Sequence, residues 1–159
     1  LINAPARARL PSEAAGLALR SLEERLFFAI LDDRALFEGV NLMDCLFCKI
    51  IEGAIPSTKV FENERIVAFH DIAPAAPIHI LIIPKKHIPT MNDVTDEDGP
   101  LMAELLAVAR QIAKEQGIDE SGYRLVNNVK HDAGQIVYHL HIHLLGGSKL
   151  SSLSGEIRS

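Results

Sequence analysis

The chain has 159 residues and a mass of 17.4 kDa, enough for one domain with its own core and no need of disulfide staples. Sixteen Lys plus Arg against twenty-one Asp plus Glu leave a formal charge of -5, which argues against a protein that coats nucleic acid or an anionic membrane. No run approaches the roughly 18 consecutive apolar residues of a membrane span, and Cys45 and Cys48, three positions apart, favour metal binding or redox work in a reducing compartment over a structural disulfide. A cytoplasmic location is the plain expectation.

All seven histidines and both cysteines lie beyond Met43, the first methionine. Residues 1–42 are therefore expected to be an extension, with Met43 the natural start, 43–147 the working domain, and 148–159 a mobile tail rich in Ser and Gly. Within the extension, residues 12 to about 37 read as a helix, capped by Ser12 and striped by Leu19, Leu22, Leu26 and Ile30. A short helical turn is expected over Leu46 to Glu52, closed by Gly53 and followed by Pro56.

Strands follow at about 58–62, 65–70 and 78–84, the first two joined by the Asn63-Glu64 turn. Asp71 to Pro77, with Pro74 and Pro77, must be loop. Thr95 or Asp96 opens a long helix whose apolar positions Leu101, Leu105, Val108, Ala109 and Ile112 recur at helical spacing until Gly117. That stripe can pack on the chain's own sheet. Two more strands are expected at about 122–128 and 136–144, with the bend at Asp132, Ala133 and Gly134. Five strands with short connections and one long inserted helix predict an α+β fold on a mainly antiparallel sheet.

The most specific feature is Tyr138-His139-Leu140-His141-Ile142-His143-Leu144-Leu145. In a strand, residues two apart share a face about 7 Å from one another, so the three imidazoles line one side and the apolar residues the other. On a helix the same spacing scatters the rings over about 200°. A lone histidine is most simply a hydrogen-bonded core or surface residue. Three in alternation need three sets of buried partners, which leaves metal binding, nucleophilic catalysis or both.

His-Leu-His-Ile-His-Leu-Leu resembles the signature of the histidine triad superfamily. Cys45 to Gly53, Ala68-Phe69-His70-Asp71-Ile72, the run Ala76 to Ile88, and Gly134-Gln135 before Val137-Tyr138 resemble its Hint branch, with coverage from about Asp44 to Gly147. The resemblance implies a purine nucleoside phosphoramidase that passes through a nucleotidyl-histidine, with the triad His139, His141 and His143 as catalytic residues and His141 as the nucleophile. It places Asn128, Gly134, Gln135 and His143 at the phosphate, Asp71 on the ribose hydroxyls, and Leu46, Phe47, Ile50, Phe69, His70 and Ile72 around the base. Core packing is an equally good reading for Leu46, Ile50 and Ile72.

The resemblance further implies a homodimer joined edge to edge, and a structural zinc on Cys45, Cys48, His79 and His139. The competing reading of the thiols is two small buried hydrophobes. Competing functions are a dinucleoside polyphosphate hydrolase using the same triad, and a nucleotide-binding scaffold whose hydrolysis is incidental. Many Hint proteins carry a hydroxyl side chain where this chain has Ile136, so a slower chemical step is expected here. Lys85, Lys86 and His87 follow the third strand, where phosphate contact is one reading, but exposed lysine pairs are most simply solvated surface.

Overall fold

The computed structural model describes residues 45–151, so the expected extension helix and most of the expected tail lie outside the described residues. Helix α1, Leu46–Ile51, starts at Cys45 as its N-cap and ends at Gly53, which takes the left-handed φ of +78° that a helix exit favours in glycine. Strands β1 (Lys59–Glu62), β2 (Ile66–His70) and β3 (Ile78–Pro84) follow. Asn63 makes the β1–β2 turn by accepting, through Oδ1, the backbone N–H groups of Arg65 and Ile66.

Thr95 and Asp98 then form a capping box around a 3-10 turn, which leads into helix α2, Gly99–Glu115. Strands β4 (Arg124–Val126) and β5 (Ile142–Gly146) complete a five-stranded sheet of order β1-β2-β3-β5-β4 in which every neighbouring pair is antiparallel. The architecture is the expected α+β fold.

Register decides what each face does. Ala68, Ile82 and Ile142 form one row and Ile80 with Leu144 another, and these meet Leu101, Leu105, Val108, Ala109, Ile112 and Ala113 of α2 in the main core. The apolar stripe of α2 is thus spent on its own sheet, leaving Leu106 exposed on the outer side. The opposite face carries Phe69, Leu81 and His143 in one row, with His79 opposite Leu145 in the next. Over this face sits α1, its Phe47 ring edge-on to Phe69 at 5.7 Å.

The fifth strand departs from its expected limits. It was expected over 136–144, yet pairing starts only at Ile142. Upstream, the N–H of His139 turns back to the carbonyl of Val137 at 2.9 Å, and that of Leu140 reaches Ile88 at 2.6 Å, so the backbone is committed elsewhere before the ladder begins. The alternation survives: Leu140, Ile142 and Leu144 all enter the α2 core. Strand β4 is correspondingly short. Past its end, Asn127 Nδ2 donates to the carbonyl of His141 at 2.8 Å, a side chain doing what a ladder bond would do one step earlier.

Candidate active site and metal centre

His141 is buried at 5% exposure, and its ring lies 5.2 Å from that of Phe47 and 4.9 Å from that of His143. Its Nδ1 stands 2.7 Å from the carbonyl oxygen of His139, an acceptor only, so Nδ1 carries the proton and donates. The lone pair is therefore on Nε2. Burial pushes the His141 pKa below the usual imidazole value, against the raising effects of that hydrogen bond and of Asp71, which keeps the ring neutral at physiological pH. A neutral imidazole with one nitrogen anchored and the other bare is the arrangement a nucleophilic histidine needs.

His139 is fully buried and used differently. Its Nε2–H donates to the carbonyl of Pro84 at 2.8 Å, which leaves the Nδ1 lone pair facing Cys45 Sγ at 3.5 Å and Cys48 Sγ at 3.6 Å. His87 Nδ1 lies 3.3 Å from Cys48 Sγ. These four donor atoms are within 4.8 Å of one another, close enough to hold a metal ion.

The two cysteines converge because Cys45 is the N-cap of α1 and Cys48 sits one turn on. Both are free thiols. Burial, and then neighbouring Cys45, push the Cys48 thiol up to about 12. Zn–S of about 2.3 Å and Zn–N of about 2.0–2.1 Å at tetrahedral angles put sulfur and nitrogen about 3.6 Å apart, close to the distances found. The donor set fits a four-coordinate ion.

This corrects the expected ligand set. His79 is not beside the cysteines; it belongs to a second group with Asp71 and His143. The sheet register gives the reason. With Leu81 opposite His143, continuing the antiparallel pairing puts His139 opposite position 85, next to His87 and about 20 Å along the strand from His79. His79 instead places Nε2 2.9 Å from His143 Nδ1 and 3.5 Å from Asp71 Oδ2.

Of the residues expected at the base, Phe47 and Phe69 are buried and in ring contact, with Leu46 and Ile50 buried on the same helix as Phe47. Ile72 is 66% exposed, so core packing does not explain it. His70 is exposed at the end of β2 and pairs with Ile80, which puts it on the α2 side of the sheet, opposite Phe69. Asp71 Oδ1 accepts the N–H of Ala73 at 2.8 Å, leaving Oδ2 directed at the second histidine group.

The loop expected at the phosphate is tied down from within. Gln135 is buried; its amide nitrogen donates to the carbonyls of Pro89 and Val137, and its Oε1 accepts from the N–H of Lys130 at 2.8 Å. The N–H groups of Gly134 and Gln135 also stay inside the loop, on the carbonyls of His131 and Lys130. Gln135 thus shapes the loop, and its side chain has no donor left for phosphate. Gly134 is required by its φ of +80°, not by crowding, since a Cβ there meets nothing within 4 Å. Asn128 is half-buried just beyond β4.

Lys85 and Lys86 pair with Glu62 at 2.8 Å and Asp98 at 2.6 Å, which accounts for both charges without phosphate. Two placements were not expected from the sequence: His87, read there only as a phosphate contact, stands as a fourth donor beside the thiols, and Asn127 anchors the His141 carbonyl. The strand register would have found His87. Nothing in the sequence separates Asn127 from its neighbour Asn128.

The fold thus sets a four-donor Cys/His cluster beside the neighbouring rings of His141 and His143 at the end of a small antiparallel α+β sheet. The family model described as "Scavenger mRNA decapping enzyme C-term binding" matches residues 44–157. The chain is 47% identical over 110 residues to the purine nucleoside phosphoramidase of Escherichia coli K12, covering 69% of this chain and 92% of that protein. The crystal structure of a HIT family hydrolase from Legionella pneumophila matches with 56% identity and a TM-score of 0.68, over 70% of this chain and 99% of the other. A histidine triad protein from Clostridium difficile matches with 47% identity and a TM-score of 0.69, over 72% and 100%. The chain belongs to the histidine triad family.

Proposed function

We propose that the protein is a purine nucleoside phosphoramidase working through a nucleotidyl group on His141. The observation that carries this is the His141 ring, fixed at Nδ1 by the backbone carbonyl of His139 and left with a bare Nε2 lone pair, its ring packed against Phe47. Among the described residues Ser57 Oγ is the one fully buried side-chain polar atom without a partner, so the unpaired Nε2 is within reach of solvent or substrate. The identity to a relative bearing that activity over nearly its whole length points the same way.

In the first half-reaction the Nε2 lone pair attacks the α-phosphorus, the P–N bond breaks, and the leaving nitrogen takes up a proton and departs as amine. In the second, water attacks the nucleotidyl-histidine, its oxygen bonds to phosphorus, the P–N bond to His141 breaks, and one proton is released. The sum is hydrolysis to amine and nucleoside 5'-monophosphate. Phe47 and Phe69, with Leu46, Ile50 and Ile72, offer the apolar walls a purine requires, and Asp71 lies within the same face as an acceptor for the ribose diol. Asn128 and the Gly134–Ile136 loop border the phosphate; the Ile136 N–H is the donor there not used inside the loop.

Cys45, Cys48, His87 and His139 would hold a structural zinc, which when bound supplies a fixed link between α1 and the segment preceding the nucleophile. Assembly as a homodimer through the free edge of β4, where Leu125 is exposed, and a cytoplasmic location suited to two free thiols complete the reading.

The test is rapid quenching with a labelled adenosine 5'-phosphoramidate. We expect a covalent AMP adduct on the peptide containing His141, lost together with turnover in His141→Ala. Turnover without any adduct, or faster AMP release from a diadenosine polyphosphate than from the phosphoramidate, would overturn the assignment.

A further inference from the structure

His79 makes no contact with the metal cluster and is not the nucleophile, yet it is buried, fully partnered and aimed at a triad histidine. Its two nitrogens can be assigned from their partners. The backbone N–H of Ala75 points at Nδ1 at 3.1 Å, and a backbone N–H can only donate, so Nδ1 holds a lone pair. In a neutral imidazole the proton must then be on Nε2, which lies 2.9 Å from His143 Nδ1 and 3.5 Å from Asp71 Oδ2. The shorter contact is the hydrogen bond, so His143 Nδ1 accepts and the His143 proton is left on Nε2. Asp71 stands close enough to favour the His79 proton where it is.

We propose that His79, backed by Asp71 and the Ala75 N–H, is a positioning residue that locks His143 in its Nε2–H form, so that His143 meets the substrate as a neutral hydrogen-bond donor to a phosphoryl oxygen. This rests on the reading of His141 as nucleophile, because the His143 ring is the one packed beside it at 4.9 Å. A proton added to His143 Nδ1 would face the His79 Nε2–H directly, so His143 is kept from becoming an imidazolium. Burial, followed by neighbouring His141 and His79, holds the His143 pKa down to about 4, in agreement with that geometry. A preorganised neutral donor needs no rearrangement as negative charge grows on the phosphoryl oxygens.

The same three residues could be read as a cation site, since their donor atoms lie within 4.8 Å of one another. The hydrogen bonding argues otherwise. With Nδ1 already accepting from Ala75, His79 would have to give up its last proton to offer Nε2 to a metal, and an imidazolate is far less accessible than a neutral ring.

The experiment uses zinc-replete, 15N-labelled protein and two-bond 1H–15N spectra of the histidine rings, together with steady-state kinetics on an adenosine 5'-phosphoramidate. In the wild type, His143 is expected as the Nε2–H tautomer. His79→Leu should release it to a mixture containing Nδ1–H and lower kcat by about 10- to 100-fold with KM changed by less than about 3-fold, less than the roughly 100- to 1,000-fold loss of a whole oriented oxyanion donor because part of the ring stays Nε2–H. His79→Gln, whose amide N–H can still donate to His143 Nδ1, should restore the tautomer and most of kcat.

An Nδ1–H tautomer in the wild type would overturn the proposal. So would a kcat in His79→Leu within about 3-fold of wild type, or equal losses in Leu and Gln variants with an unchanged His143 spectrum. Stoichiometric shifts of the His79 and His143 ring nitrogens on adding further zinc would replace it with a metal site. If the His141 adduct itself is never trapped, the functional reading fails, while the tautomer spectra still judge this one.

Discussion

Replacing His87 by alanine removes one corner of the Cys45–Cys48–His87–His139 cluster and discriminates it from the alternative set containing His79. The three sulfur to nitrogen distances, 3.3, 3.5 and 3.6 Å, are close to tetrahedral edges, so each donor is already in place and little rearrangement accompanies binding. Removing a side chain that only hydrogen-bonds a metal ligand costs about 10–100-fold in affinity, so loss of a direct ligand should cost at least about 100-fold.

A site saturated 1,000-fold above its Kd adds about 4 kcal/mol to the folded state, and losing two decades of that removes about 2.7 kcal/mol. For a domain of this size, 1 kcal/mol is about 4 °C in Tm, so His87→Ala should melt about 10 °C lower at fixed zinc. His79→Leu should keep its zinc and change Tm by the packing cost alone. The assays are metal content after gel filtration, competition with a chromophoric chelator, and thermal unfolding with and without chelator. Full zinc in His87→Ala, or loss of zinc in His79→Leu, would refute the reasoning and return the site to the arrangement first expected.

The folded-state pKa of His143, about 4, lies below its ordinary 6.5, so between these values the unfolded chain binds more protons and stability falls as pH drops through the window. The slope is at most about 1.4 kcal/mol per pH unit for this residue, and zinc-loaded protein should be steeper than chelator-treated protein, because unfolding it frees Cys45, Cys48, His87 and His139 to take up protons. Melting curves from pH 7 to pH 4 that stay level would contradict this. Asn127→Ala removes the donor to the His141 carbonyl and should cost about 1 kcal/mol in urea unfolding, with a fall in kcat exceeding any change in KM; an unaltered urea midpoint would show the bond to be worth nothing. Ile136→Ser supplies a hydroxyl at an exposed loop position and should speed adduct formation, a hydrogen bond to a charged group being worth about 1.5–3 kcal/mol. Single-turnover rates equal to wild type would remove Ile136 from the account of the chemical step.

How much of this was legible before the structure follows from the range of each signal. Short apolar runs and helical periodicity are local, and they placed β1, β2 and β3 within a residue and the end of α2 within two, whereas its expected opening at Thr95 or Asp96 is a 3-10 turn and the α-helix starts at Gly99. The His-x-His-x-His run likewise brought His141 and His143 side by side, their rings 4.9 Å apart. The ends of β4 and β5 were not legible because bonds from outside the strands set them: the Leu140 N–H to Ile88, and the Asn127 amide to His141.

The metal ligands failed for a related reason. A Cys-x-x-Cys turn states its own half of a site, and the other half depends on which residues of β3 lie opposite the triad, a matter of register between strands some sixty residues apart. Both His79 and His87 flank the same apolar run and are chemically interchangeable as ligands. Only the pairing of Leu81 with His143 separates them, sending His87 to the thiols and His79 to His143. Once that register is fixed, the division of labour follows: the first triad histidine turns its Nδ1 to the sulfurs, the second anchors its Nδ1 and bares Nε2, and the third accepts from His79. Three residues of one type, two positions apart, differ in role because each has a different neighbour at Nδ1.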